Sequence, residues 1–72
     1  MEKYKNRSGN SPVTNYEIRD DFIVVIFNST KIYTYSYYRA GKIHVDKMKA
    51  LAINGQGLSA YISQHVRNAY DR

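Results

Sequence analysis

The sequence predicts an α+β domain, a three-stranded antiparallel β-meander followed by two helices packed on one face. Three observations lead there. The stretches VTNYEI, FIVVIF and IYTYSY are rich in β-branched and aromatic residues and are separated by short polar turns. Apolar residues then recur at helical spacing in two segments on either side of Asn54-Gly55-Gln56-Gly57. The 72 residues contain no cysteine, so one small core must hold the fold without a disulfide.

Each element has its own signal. Residues 1–11, MEKYKNRSGNS, are polar, and Ser8, Gly9, Asn10 and Ser11 cluster before Pro12. This composition predicts a flexible basic arm carrying Lys3, Lys5 and Arg7, with the compact domain spanning residues 12–72. Strands are expected at about 13–18, 22–28 and 31–38, and the short connections imply antiparallel pairing. Asp20-Asp21 reads as turn chemistry. Helices are expected at about 44–54 and 58–70. Val45, Met48, Leu51 and Ala52 share one face of the first, and Gly55 can take the left-handed conformation that ends it. Leu58, Tyr61, Ile62, His65, Val66, Ala69 and Tyr70 form the stripe of the second.

Parity assigns the tyrosines. Tyr33, Tyr35 and Tyr37 share one strand face, and Thr34 and Ser36 the other. A three-residue loop, Ser29-Thr30-Lys31, pairs Phe27 with Tyr33 and gathers the odd-numbered residues toward the helices. A domain this small needs Tyr33 and Tyr35 in its core. The opposite face then carries Phe22, Val24, Ile26 and Ile32, an apolar set of the kind that marks an interaction surface.

Charge and composition narrow the function. Eleven Lys/Arg against six Asp/Glu give a net charge of +5, which favours anionic partners. The basic residues are spread along the chain, and a charge of this size also suits any small soluble domain. The longest apolar run, FIVVIF, has six residues against the ~20 a membrane-spanning helix needs, so no membrane partner is expected. MEKYKNR is not followed by an apolar run, which predicts no signal peptide and a cytoplasmic location. His44 and His65 are the only imidazoles and lack the spacing of metal ligands, so neither a metal nor a cofactor is expected. GQG at 55–57 lacks the Lys-Ser/Thr of a phosphate-binding loop. A two-histidine ribonuclease would need both rings to meet at one phosphate. The sequence alone offers no such constellation and predicts no enzymatic activity.

FIVVIF, then KIYTY, then HVDKMKALAINGQGLSAYISQHVRNAY resembles the KTSC domain, over about residues 12–70. The family pattern is matched at Phe27, Tyr33-Thr34-Tyr35, Met48 to Ala52, Gly55 to Gly57, Tyr61-Ile62, Val66-Arg67 and Tyr70. The chain departs from it at Asn28-Ser29-Thr30, where the family commonly has a Gly, and at AGKIHV, where a Pro commonly opens the helix. The KTSC domain occurs at the C-terminus of some lysyl-tRNA synthetases and as short free-standing bacterial proteins, so the resemblance implies an RNA-associated module.

Two functional readings follow. In the first, Lys42, Arg67, Lys3, Lys5 and Arg7 meet the phosphates of an RNA and Tyr38 stacks a base. In the second, Phe22, Val24, Ile26 and Ile32 form a face for self-association or for another protein.

Overall fold

The computed structural model describes residues 1–71. The chain forms β1 (Glu2–Lys3), β2 (Val13–Ile18), β3 (Phe22–Phe27), β4 (Lys31–Ser36), α1 (Lys42–Asn54) and α2 (Leu58–His65). The strands make one antiparallel sheet in the order β1-β2-β3-β4, and α1 packs against β3 and β4. The class is α+β, with four strands where the sequence predicts three.

The fourth strand lies within residues 1–11, the stretch read as a flexible arm. Its polar composition hides one aromatic anchor. Tyr4 is 3% exposed and sits in the core, and its hydroxyl accepts a hydrogen bond from the Leu58 amide at the start of α2 (3.3 Å). Asn6 then orders the polar loop: its side chain bonds both the amide and the carbonyl of Ser11. One buried ring and a satisfied loop backbone offset the entropy that composition alone would leave uncompensated.

Strand β2 needs a correction of its own parity. Val13, Tyr16 and Ile18 all pack against the core, yet Val13 and Tyr16 are three apart. A β-bulge between Val13 and Asn15 resolves this by inserting Thr14 as the unpaired residue. Thr14 Oγ1 donates to the Ile26 carbonyl (3.2 Å) and accepts from the Ser29 amide (3.1 Å), so the bulge is pinned from both sides.

The β3–β4 hairpin keeps the expected faces but not the expected register. Phe27 pairs with Lys31, and Tyr33 pairs with Val25 instead of with Phe27. The loop is Asn28-Ser29-Thr30, one residue earlier than expected at its start and end, because Asn28 and Ser29 take positive φ (54° and 62°) and turn the chain at once. A shift of two residues preserves parity, so Ile23, Val25, Tyr33 and Tyr35 still face the helices. β4 ends at Ser36, and Tyr37 and Tyr38 lie in the turn beyond it.

Val45, Met48 and Ala52 of α1 are buried, and Leu51 packs beside them. Gly55 caps the helix in the left-handed conformation (φ 80°). A Cβ there would lie 2.5 Å from Lys5 Cβ, so the site needs glycine for space as well as for φ. Helix α2 ends at His65, five residues short of the periodic stripe. Beyond Val66 the chain turns back along β4. Tyr70 packs edge-on against Tyr33 (4.8 Å) and Tyr35 (6.4 Å), and the Asp71 amide donates to the Thr34 carbonyl (2.7 Å). The apolar period of Val66, Ala69 and Tyr70 therefore reports burial in a returning segment, not in helix.

Tyr35 is 2% exposed, and burial, with Tyr33 and Tyr70 nearby, pushes its phenol up to about 12. The unfolded value is ~10, so the folded state holds this proton more tightly. The stabilisation is complete below pH ~10 and is lost as pH rises toward 12, a drop on the order of 2 kcal/mol. Denaturant titrations at a series of alkaline pH values should show this decline, and Tyr35→Phe should remove most of it. A wild-type and a Phe variant with parallel curves would place the alkaline loss elsewhere.

Candidate nucleic-acid interface

Two surface segments meet beside β4: the turn that follows it and the segment that follows α2. Tyr38, Arg39, His65, Val66, Arg67, Asn68 and Ala69 line an open groove of about 790 Å³ between them. The Ser36 hydroxyl ties the walls together, accepting from the Arg39 amide (3.1 Å) and donating to the Asp71 carboxylate (2.9 Å). Buried Val66 underlies the groove, while Arg39 and Arg67 are exposed. Tyr38 is 97% exposed, so its ring offers a free face.

Arg67 and Asn68 also border a second depression, of about 350 Å³, lined by Phe27, Lys31, Tyr33, Tyr35, Ile62 and Tyr70. The two depressions therefore share a ridge. Together they present Lys31, Arg39 and Arg67 among exposed and half-buried aromatic rings, and among the described residues neither lining includes a carboxylate. A cationic track interleaved with π-surfaces can hold a phosphate backbone and stack its bases.

Of the residues singled out in the sequence, Tyr38 and Arg67 come together here. A helical pairing of Arg67 with Asp71 does not arise, because α2 has ended and the Asp71 carboxylate is engaged by Ser36. Lys42 is elsewhere. It bonds Asp46 (2.7 Å), which also accepts from the Tyr37 hydroxyl. The Lys42 ammonium, chiefly by this hydrogen bond, holds the Asp46 carboxyl below its usual range, and Asp46 in turn raises Lys42. Lys49 bonds the Tyr37 hydroxyl (3.2 Å) and the Asp20 carbonyl (3.0 Å) and lies 4.8 Å from the ring centre of Tyr37.

Lys3, Lys5 and Arg7 are placed apart from the groove. Arg7 Nε donates to the Asn54 carbonyl (2.8 Å) and its amide to the Gly55 carbonyl (2.7 Å), so Arg7 caps the negative end of α1. Lys5 packs beside Gly55, and Lys3 lies in register with Asn15 on the outer sheet face. The groove is at the other end of α1, where His44 meets Tyr61 and His65. Arg39 and Lys31 were not picked out by sequence. Their signal is adjacency to exposed or half-buried tyrosines, which becomes informative only once β4 is known to end at Ser36.

The outer face of the sheet carries Phe22, Val24, Ile26 and Ile32. Ile26 pairs directly with Ile32, and Ile32 is 63% exposed. Among the described residues, no three His, Cys, Asp or Glu side chains gather as a metal centre would require, and no helix is long and apolar enough to cross a membrane. No protein-family model matches the chain, and comparisons with curated proteins and with solved structures find no match.

Proposed function

We propose that this protein is a small binding module for single-stranded nucleic acid, RNA in the first instance. The observation that carries the reading is the groove that brings Tyr38 together with Arg39, His65 and Arg67, with no carboxylate in its lining among the described residues. Phosphates lie along the arginines and a base stacks on Tyr38. The resemblance to the KTSC domain, with its synthetase linkage, points to the same class of partner. Sequence selectivity is low, because the groove presents charge and ring faces and no groove-reading helix.

A salt-titrated binding assay against single-stranded RNA and tRNA tests the reading. Each phosphate contact contributes about 0.7 to the slope of log affinity against log salt. Arg67→Gln and Arg39→Gln should each flatten that slope by about one contact. Lys42→Gln should leave it unchanged, since Asp46 already neutralises that charge. Tyr38→Ala should cost ~1–3 kcal/mol of affinity, the usual worth of one stacked base. Absence of binding at micromolar RNA and low salt, where screening is least, rejects the module as a nucleic-acid binder.

The outer sheet face supports a second reading, self-association. Its strip of Phe22, Val24, Ile26 and Ile32 is about 20 Å long for six residues of strand and one to two strands wide. That is less than the ~800 Å² per partner of a standard interface, so pairing is weak. Solution mass should rise with protein concentration, be insensitive to salt, and revert to monomer in Ile32→Asp. A constant monomer mass up to the solubility limit removes this reading.

A further inference from the structure

The fold brings the protein's only two histidines together. His44 lies in the first turn of α1 and His65 ends α2, 21 positions later in sequence, yet their rings stack with centroids 5.7 Å apart. Tyr61 completes the cluster, with its ring 4.4 Å from His65 and its hydroxyl 2.8 Å from His44 Nδ1. No carboxylate hydrogen-bonds either ring among the described residues. His65 is exposed and is itself part of the groove lined by Arg39 and Arg67. The sequence shows two isolated imidazoles; the structure sets them side by side, with His65 in the groove and His44 next to it.

We propose that this site cleaves bound RNA by transesterification at a phosphate lying across the edges of His44 and His65. The proposal rests on RNA occupying the groove. With the ring centroids 5.7 Å apart, in-plane nitrogens at the two ring edges can reach different oxygens of one phosphodiester laid across them, the attacking oxygen and the leaving oxygen. His65, exposed, takes the proton of the ribose 2′-hydroxyl. The 2′-oxygen forms a bond to phosphorus, and the bond from phosphorus to the 5′-oxygen breaks. The departing 5′-oxygen receives a proton from the His44 imidazolium, whose Nδ1–H donates to the Tyr61 oxygen and keeps the ring oriented. The products are a 2′,3′-cyclic phosphate and a 5′-hydroxyl. His65 then carries the proton that His44 has lost, and exchange with water resets both. Arg67 and Arg39 face the charge that builds on the non-bridging oxygens, the role preorganised cations serve in such reactions. Nothing beyond RNA is consumed, and DNA, without a 2′-hydroxyl, can bind but not react.

The test uses the full chain with an end-labelled oligouridylate and the oligodeoxyuridylate of equal length, both in low salt and EDTA, with binding and chain cleavage measured on the same samples. The expected result is that both strands bind and only RNA is shortened, leaving 2′,3′-cyclic phosphate ends. At saturating RNA, His44→Gln and His65→Gln should each slow cleavage at least a hundredfold, within the range that a positioned acid or base contributes. His65 is exposed at the end of α2, so His65→Gln keeps its circular dichroism and decides the matter even where His44→Gln unfolds. RNA bound but left intact overturns the inference while the binding function stands. So does cleavage at the same rate in wild type and His65→Gln, or cleavage of the DNA strand. Failure to bind either strand overturns both.

Discussion

Tyr35→Ala is expected to leave the protein unfolded, or folded only marginally, at room temperature. Tyr35 is the largest side chain buried to within 2% of full enclosure, paired from the edge strand β4 with Ile23 of β3 and packed edge-on against Tyr70. Truncating a buried aromatic to alanine costs about 3–5 kcal/mol through lost burial and the cavity left behind. A domain of this length has a total stability of only about 4–11 kcal/mol. Tyr33 and Tyr61, which the sequence offers as equal core candidates, are half-buried, and their truncation should cost less. Urea denaturation followed by circular dichroism, with all three alanine variants compared, checks the ranking. A Tyr35→Ala transition within 1 kcal/mol of wild type would mean that the ring does not carry the sheet–helix packing.

The second large effect is expected at Tyr4→Ala. The residue lies in a segment whose composition predicts no structure, yet its ring is buried and its hydroxyl receives the Leu58 amide. That amide is in the first turn of α2, where helix donors lack partners within the helix, and Gly57 supplies no side-chain cap. The substitution therefore removes buried aromatic area and leaves a buried donor unpaired. The combined loss should reach roughly 3–5 kcal/mol, comparable to Tyr35→Ala. Tyr4→Phe separates the two parts: it keeps the ring and should cost only about 1 kcal/mol. Urea midpoints of the two variants measure both. If Tyr4→Ala unfolds at the wild-type midpoint, residues 1–11 do not contribute to the core.

The same segment shows where sequence reasoning stops. Residues 1–11 are polar on average, and averages decide whether a segment can fold alone. Tyr4 does not fold alone. It sits in the core with its hydroxyl on the Leu58 amide, a residue distant in sequence, so its burial depends on elements that a local reading cannot see. The Val13–Tyr16 parity break likewise asks for a bulge, but only pairing with Phe27 and Ile26 locates it at Thr14. In the candidate site, Tyr38 and Arg67 could be named from sequence because each carries a local signal, a strand end and the apolar-Arg step Val66-Arg67. Arg39, Lys31 and the convergence of His44 with His65 could not, because each depends on where α2 stops and which way the chain returns.

Local periodicity therefore encodes a definite set of features. These are the α+β class, the core strands at 13–18 and 22–27, the face that turns Ile23, Val25 and Tyr35 inward, the buried stripe of α1 and its end at Gly55. Side-chain alternation and helical spacing are properties of neighbours a few residues apart, and they survive any arrangement of the whole. Long-range packing sets the hairpin register, the fourth strand, the end of α2 at His65 and the meeting of Tyr38 with Arg67 and of His44 with His65. A two-residue slip of register leaves parity intact, so the pattern cannot detect it; the left-handed turn at Asn28 and Ser29 selects it. Helix α2 stops where Tyr70 gains more by packing on Tyr33 and Tyr35, and Asp71 by pairing with Thr34, than five further helical residues would provide.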